Sequence, residues 1–242
     1  MNKKITFISH QMYNGNPSLE PKPGKTQVPK WFSSANKYWK EEGQTEVIKH
    51  EWGAEVLGFK ACPALLDIFL DGYYLTTPCD ILFYKNPDNN LIIAKTEKGF
   101  ENFIGSRSPM EGFAVPYGYD SQHFHWYPNW GVRLEKGYSA IFMSPLNRYD
   151  LPFISTAGII DSDMLDTPGF IPFFLRNDFS GLIPAGTPYL QVFPFKRESW
   201  NMEVEYLNER EIIERHNKSG NFLRTSDGGQ YKKYLWNRKS YE

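Results

Sequence analysis

Short apolar runs, broken by glycine and proline, dominate the hydrophobic pattern of the second half of the chain. Their length and their β-branched and aromatic content are typical of strands. Strands are predicted at residues 131–134, 139–144, 154–160, 170–176 and 190–194. Turns that contain glycine are predicted between neighbouring strands, at 135–137 and 184–186. We therefore expect residues 131–197 to form a continuous antiparallel core.

The first 130 residues have a less regular pattern, which predicts a few strands and peripheral decorations. Strands are predicted at 5–8, 73–75, 80–84 and 91–95, the second and third forming a pair, and helices at 30–41 and 61–70. Pro29 precedes the first helix, whose aromatic residues follow helical spacing, and Pro63 is tolerated in the first turn of the second. Residues 96–122 are rich in turn formers and predict no definite element.

The C-terminal part, residues 207–242, predicts helices. Asn208 followed three residues later by Glu211 forms a capping-box signature, and Gly220 is expected to end that helix near residue 218. A second, aromatic and basic helix is predicted at 230–239. The whole pattern predicts a mainly β fold with peripheral helices at both ends, in a single domain spanning 1–242.

Composition and charge narrow the classes of function. The 27 Lys and Arg residues balance 28 Asp and Glu residues, so no overall field draws the chain to nucleic acid in general. The two cysteines, Cys62 and Cys79, form no metal-binding pair and indicate a reducing compartment. No apolar run is long enough for a membrane helix, and the N-terminus has no apolar signal region, so we expect a cytoplasmic protein.

Four short motifs in the second half occur in a recognisable order. They are Gly137-Tyr138, Gly158-Ile159-Ile160-Asp161-Ser162-Asp163, Leu175-Arg176-Asn177, and Pro184-Ala185-Gly186 with Gln191 following. In this order and spacing they resemble the dUTPase and dCTP-deaminase superfamily, over about a quarter of the chain. The resemblance implies a β-clip core, a nucleotide ligand with Mg²⁺ as its companion, and a homotrimer whose sites lie between subunits.

Asp161 is the candidate catalytic residue. It follows Ile159 and Ile160, which are expected to be buried, so its carboxylate should be partly desolvated and its pKa raised, as suits a group that activates water. The resemblance implies that role for Asp161 in attack on the α-phosphate, with Asp163 as a second, nucleotide-binding acid. The alternative is an aspartate that caps its own turn.

Three further residues are candidates for nucleotide binding. The loop Leu146-Asn147-Arg148 stands where the resembling enzymes carry a phosphate loop, so Asn147 and Arg148 could hold phosphate. The alternative for Arg148 is an ion pair with Asp150. Gln191 lies within an apolar strand and needs a polar partner, and the resemblance implies that it lines the site.

Several departures from the family pattern predict weakened catalysis. Met164 stands where the family places an aromatic residue that stacks on the sugar. No glutamate occurs in 170–175, so deamination is not expected. The glycine-rich C-terminal lid has only a faint counterpart at 224–229. We therefore expect a nucleotide-binding protein with degenerate catalysis.

Aromatic residues and histidines cluster at 123–130. His123 and His125 share one strand face and could ligate a metal, although no third ligand is evident, and the alternative is histidines packed among the aromatic residues. The aromatic side chains could stack bases or form core. Trp126, Trp130 and Phe195 are expected to be exposed and to supply the apolar seam of the trimer.

The chain is also similar to a group of uncharacterised phage proteins, from Trp130 to Arg197. That resemblance implies a viral setting, in host cytoplasm or in the virion, and no activity. The alternative function is accordingly a non-enzymatic phage protein, structural, assembly-related or directed at the host, that keeps the fold.

Overall fold

The computed structural model of the chain describes residues 3–51, 53–109, 111–167, 169–223 and 231–237. The chain divides into two compact units, each made of two stretches. The first unit is Met1–Gln27 with Gly72–Arg197, and the second is Val28–Asp71 with Glu198–Glu242. Strands outnumber helices among the described residues, so the fold is mainly β, as predicted.

The first unit contains the strands. They are β1 Thr6–Ile8, β2 Lys22–Pro23, β3 Tyr73–Thr76, β4 Ile81–Lys85, β5 Ile92–Thr96, β6 Ile104–Arg107, β7 Tyr119–Trp126, β8 Gly131–Arg133, β9 Tyr138–Met143, β10 Phe153–Ser155, β11 Gly158–Ile160, β12 Ile171–Arg176, β13 Gly181–Ile183 and β14 Pro188–Lys196. They form sheets ordered β11-β9-β14-β3-β2, β10-β12-β7-β6, β13-β4-β5 and β1-β8. Every pairing among them is antiparallel.

The second unit contains the helices. They are α1 Lys30–Ser33, α2 Pro63–Leu70 and α3 Glu209–Leu223. Phe32 and Phe69 pack with ring centroids 4.7 Å apart, which gives this unit a small aromatic core. Trp236 follows a π-helical turn at Tyr231–Leu235, and its indole N–H donates to Asp67 Oδ2 at 2.9 Å.

The core of the first unit is built around Trp126, which is fully buried on β7. Its ring stacks on Phe173 of β12 at 3.8 Å between centroids and 10° between planes. A buried indole N–H needs an acceptor, and Trp126 Nε1 donates to Ser155 Oγ of β10 at 3.0 Å. Ser155 Oγ in turn donates to the carbonyl of Tyr189 on β14 at 2.8 Å. This chain of two hydrogen bonds joins the four-stranded sheet to the five-stranded sheet.

The strands predicted between 131 and 197 are present, but the core is not continuous within that range. Seven strands, β8 to β14, are distributed over all four sheets, and each sheet is completed by strands from the first 130 residues. The single strand expected at 154–160 is two strands in different sheets, β10 and β11, because Thr156-Ala157 carries the chain from one sheet to the other.

Other expectations for local structure are corrected. The strands at 73–75 and 80–84 do not pair: β3 lies between β14 and β2, whereas β4 lies between β13 and β5. The helix predicted at 30–41 ends at Ser33, since Tyr38 instead forms an isolated bridge with Leu57. Residues 96–122 contain β6 and the start of β7, and β13 was not anticipated.

The C-terminal helix begins as predicted. Glu211 N donates to Asn208 Oδ1 at 3.1 Å, and Asn208 N donates to Glu211 Oε2 at 2.9 Å, which is a complete capping box. Gly220 does not end the helix, which continues to Leu223. Residues 224–230 and 238–242, which include the faint lid counterpart and part of the last predicted helix, lie outside the described residues.

The predicted apolar seam is also corrected. Trp126 is core and has no exposed surface, and Trp130 and Phe195 are only partly exposed. Trp130 Nε1 donates to the carbonyl of Leu19 at 2.8 Å. Trp126 therefore contributes nothing to an exposed seam.

We predict that Ser155→Ala destabilises the protein, because it leaves the buried Trp126 N–H without its acceptor. The expected loss is about 1–3 kcal/mol in the free energy of unfolding, measured by urea denaturation. Ser121→Ala is the matched control, since Ser121 lies on the same strand as Trp126 but is exposed. Equal stability of the two variants would contradict the role given to the hydrogen-bond chain.

Candidate functional site

The turn after β11 brings two aspartates to one arginine. Asp163 is the more constrained: its side chain is 5% exposed, and it accepts hydrogen bonds from Arg197 Nη1 at 2.8 Å and Nη2 at 2.5 Å. Gly137 N donates to it at 2.7 Å. The hydrogen bonds from Arg197, and then that from Gly137, lower the pKa of Asp163 to about 2. The hydrogen bonds of Asp163 therefore connect the turn after β11 to Gly137 in the turn 135–137 and to Arg197 directly after β14.

Asp161 does not have the buried environment that the sequence suggested. Its side chain is 55% exposed, and Ile159 before it is exposed as well. Ser139 Oγ donates to Asp161 Oδ1 at 2.6 Å, and Arg197 Nη1 lies 3.1 Å from the same oxygen. The expected desolvation of this carboxylate is wrong, because β11 is at the edge of its sheet.

The Asn147-Arg148 loop is held together by its own side chains. Arg148 is only 11% exposed and forms a two-point ion pair with Asp150, with Nε to Oδ1 and Nη2 to Oδ2 both at 2.8 Å. Asn147 has a positive φ of 56°, and its Oδ1 accepts from the Tyr149 hydroxyl at 3.0 Å. The alternative interpretation of Arg148, an ion pair with Asp150, is the arrangement observed.

Gln191 is fully buried on β14 and supports this loop. Its Oε1 accepts from the backbone N–H of Leu146 at 2.9 Å, so its polar group has the partner that the sequence required. Gln191, Asn147 and Arg148 thus belong to one neighbourhood. In this chain Gln191 positions the loop through a contact of its own side chain.

The five candidate residues form two separate clusters. Gln191 is opposite Met143 in the pairing of β14 with β9, whereas Phe195 is opposite Ser139, the partner of Asp161. Four residues along a strand span about 13 Å. Within one chain, Asp161 and Asp163 therefore lie at the other end of this strand pair from Asn147, Arg148 and Gln191.

Beside the Asn147-Arg148 loop lies a cleft of about 330 Å³ that the sequence did not predict. We call it the tyrosine cleft; it is lined by Tyr117, Gly118, Tyr119, Tyr149, Leu151, Arg176, Asn177 and Asp178. The rings of Tyr117 and Tyr149 are exposed. Tyr117 to Tyr119 lie in the segment whose pattern predicted no element, so no periodic signal marked them.

The lining of the tyrosine cleft includes an ion pair. Arg176 Nε and Nη2 donate to Asp178 Oδ1 and Oδ2 at 3.0 and 2.6 Å. The hydrogen bonds from Arg176 lower the pKa of Asp178, and those to Asp178 raise the pKa of Arg176. Both side chains are about half exposed, so solvent screens this pair and its contribution to stability is small.

His123 and His125 are packed side chains. Both are buried on the face of β7 opposite Trp126, where Phe113 stacks on His123 at 5.4 Å and Tyr127 Oη lies 3.0 Å from His125 Nε2. Burial lowers the pKa of both imidazoles, and the charge of Arg107 lowers it further. Within the described part of the chain, no three His, Cys, Asp or Glu side chains are grouped as metal ligands.

The second unit has a larger but less polar cavity, of about 480 Å³. Trp39, Leu57 and Phe59 contribute to its apolar wall, and the described residues that line it include no charged side chain. Ligand sites usually combine an apolar wall with several converging polar groups. The tyrosine cleft is smaller, and the charged side chains of Arg176 and Asp178 are among the residues that line it.

Comparison of the sequence with models of known protein families, and with curated proteins, found no match. Among the described residues, no helix combines the length and the apolar character needed to cross a bilayer.

We predict that Asp163 stabilises the protein above its ordinary pKa of 3.8 and loses that effect as the pH falls toward about 2. The sign follows from a pKa that is lower in the folded than in the unfolded chain. Asp163→Asn should lower the urea midpoint at neutral pH and converge with the parent near pH 2. Asp166→Asn, which removes a more exposed partner of Arg133, is the control and should have a smaller effect. Parallel curves for Asp163→Asn and the parent would contradict this assignment.

Proposed function

We propose that this protein binds a nucleotide in the tyrosine cleft and does not hydrolyse it efficiently. The observation that carries the proposal is the pair of exposed rings, Tyr117 and Tyr149, on a cleft beside the Asn147-Arg148 loop. Aromatic faces stack on nucleobases of any identity, at about 1–3 kcal/mol per base. The resemblance of residues 131–197 to the dUTPase superfamily, with its β-clip core, supports the same class of ligand.

Arg176 is the group in the cleft that suits a phosphate. The N–H donors of the Arg176 guanidinium group can bind two oxygens of a phosphate, but in this structure they donate to the carboxylate of Asp178. Since the pair is exposed and weak, a phosphate can displace Asp178 at little cost. Asp178 would then be one carboxylate available to a Mg²⁺ ion that enters with the phosphates, which is the usual way Mg²⁺ is held.

Efficient hydrolysis is not expected, for a geometric reason. Asp161 is engaged by Ser139 and Arg197, and it lies at the other end of the β9-β14 pair from the Asn147-Arg148 loop. A site shared between subunits of a trimer, as the resemblance implies, could bring the two ends together across an interface. The exposed Met164 still offers no ring for the sugar.

A second candidate function is a non-enzymatic assembly protein, in keeping with the similarity to phage proteins. It is favoured by a stretch of large apolar side chains that project into solvent between β14 and α3, among them Trp200, Met202 and Tyr206. Exposed apolar patches of this kind mark interaction sites. The two candidates differ in what they require: the first needs the tyrosine cleft, and the second does not.

We predict that Tyr149→Ala and Tyr117→Ala each weaken nucleotide binding about fivefold to a hundredfold, because each removes a stacking face. Isothermal titration with dUTP, dTTP and dATP, each with and without Mg²⁺, measures the affinity. Tyr234→Ala is the control, since Tyr234 is exposed and lies in the second unit. Absence of binding by the parent protein, or equal binding by all three variants, would overturn the assignment of the cleft.

We also predict weak or absent release of pyrophosphate from dUTP in the presence of Mg²⁺. Loss of positioning for base and phosphate removes much of the advantage of a bound, aligned substrate, which can reach about 7–11 kcal/mol. Asp161→Asn should then leave both nucleotide affinity and stability within about 1 kcal/mol of the parent. Robust turnover by the parent that Asp161→Asn abolishes would show that Asp161 is catalytic after all.

A further inference from the structure

Two histidines lie side by side on one face of β7, enclosed by aromatic rings. His123 and His125 are each 5% exposed. Alternate residues of a strand point to the same face, so both imidazoles lie opposite the face that carries Trp126. Phe113 stacks on the His123 ring with 5.4 Å between centroids and 11° between planes, and Phe174 of β12 lies 6.0 Å from the same ring. His123 is therefore covered by one ring from its own sheet and one ring from outside the sheet.

The two imidazoles differ in their hydrogen bonds. His125 Nε2 lies 3.0 Å from the Tyr127 hydroxyl, which can accept from a protonated imidazole as well as donate to a neutral one. His123 Nδ1 is buried and has no hydrogen-bond partner in the described part of the chain. Protonation places an N–H on both ring nitrogens, so a protonated His123 would bury an unsatisfied donor as well as a charge. This packing therefore disfavours the charged form of His123 in particular.

The surrounding groups do not compensate for a positive charge on His123. Arg107 of β6 is directly opposite His123 on one side, and the apolar Phe174 of β12 is opposite it on the other. Burial lowers the pKa of His123 below its ordinary value of 6.5, and the charge of Arg107 lowers it further. Burial also lowers the pKa of His125, and the charges of Arg107 and His123 add to that effect. Both imidazoles are therefore held in the neutral form.

Phe113 belongs to residues 111–118, which we call the cover. All of these residues are described, none belongs to a helix or strand, and all except Pro116 are exposed. Phe113 itself is 42% exposed, whereas Phe174 is buried within its sheet. A ring face attracts a cation, but this attraction is weaker than the hydration that a buried imidazolium loses. The cover is accordingly the part that can withdraw and let water reach a protonated His123.

We propose that Phe113 covers a neutral His123 and that protonation of His123 releases the cover from β7. The pKa of His123 is lower when the ring is covered than when it is open, so the open form binds the proton more tightly and acid favours it. Tyr117 of the cover lines the tyrosine cleft, and Asn177 N donates to the carbonyl of Gly118 at 3.1 Å. Release would remove one wall of the cleft. That consequence rests on the proposed nucleotide site, whereas release of the cover does not.

The first test measures release of the cover by proteolysis of the full chain. A glutamyl endopeptidase cleaves after the exposed Glu111, and mass spectrometry identifies this product. The rate is divided by that for an unstructured peptide at the same pH. From about pH 8 to about pH 5, where histidine titrates, the corrected rate should rise about fivefold to a hundredfold, as expected for one buried donor without a partner. His123→Phe retains a ring that cannot be protonated, and its rate should not rise.

Two other histidines supply matched controls. His125→Gln keeps a polar group that can bond to Tyr127, and His216→Gln changes an exposed residue of α3 in the second unit. Both should retain the rise in acid. A rise that persists in His123→Phe, or one that only His125→Gln abolishes, would overturn the assignment to His123. Loss of the near-UV circular dichroism of the parent over the same pH range would show global unfolding and would also overturn the proposal.

NMR titration of the imidazole C–H groups tests the cover without a protease. The pKa of His123 should lie below 6.5 in the parent and should move toward that value in Phe113→Ala, which removes the covering ring. Phe170→Ala is the control, since the exposed Phe170 ring lies 5.9 Å from His125 and should not affect His123. A His123 that titrates alike in the parent and in Phe113→Ala would contradict the proposal.

Nucleotide titrations at the same two pH values test the consequence for the tyrosine cleft. The parent should bind dUTP more weakly at the acidic pH. His123→Phe should show a smaller change, and it also corrects for the phosphate, which titrates near about pH 6. A parent that binds no nucleotide at either pH would refute the proposed function, while proteolysis and NMR would still decide the fate of the cover. An equal change of affinity in both proteins would overturn the link between the cover and the cleft.

Discussion

The architecture of the first unit depends on satisfying one buried polar group, the indole N–H of Trp126. Its ring fills the core against Phe173, so the N–H cannot reach water and must find an acceptor within the protein. The hydroxyl oxygen of Ser155 accepts a hydrogen bond from this N–H, and the same hydroxyl donates a hydrogen bond to the carbonyl of Tyr189. The apolar packing and the two hydrogen bonds require the same relative position of strands from two sheets. When packing and hydrogen bonding favour the same arrangement in this way, the sequence specifies one fold.

Two arginines of the first unit form local ion pairs. Arg148 pairs with Asp150 and Arg176 pairs with Asp178, each through two hydrogen bonds across a spacing of two residues. The two pairs differ in exposure: Arg148 is shielded, whereas Arg176 is open to solvent. A ligand phosphate can compete for the second pair far more easily than for the first.

The sequence was informative wherever a side-chain pattern acts over a few residues. The strands between 131 and 194, Pro63 at the start of α2 and the capping box of Asn208 and Glu211 depend on local geometry and were predicted near their places. Features that depend on residues distant in the sequence were not predicted. The exposure of Asp161 depends on β11 being an edge strand. The tyrosine cleft brings together Tyr117 and Tyr149, which are distant in the sequence, and no local periodicity predicts that they meet.

Residues 200–206 show the converse case, a strand-like pattern without a strand. Residues 200–206 have as regular an alternation as any strand of the molecule, yet they pair with none of its described sheets. A two-residue period states that one side of a segment is to be covered; it does not state which chain covers it. In β9 and β14 the cover comes from within the first unit, where the apolar residues Ala140, Phe142 and Val192 are buried. Residues 200–206 carry the same period but belong to no strand among the described residues, so a two-residue period does not by itself place a segment in a sheet.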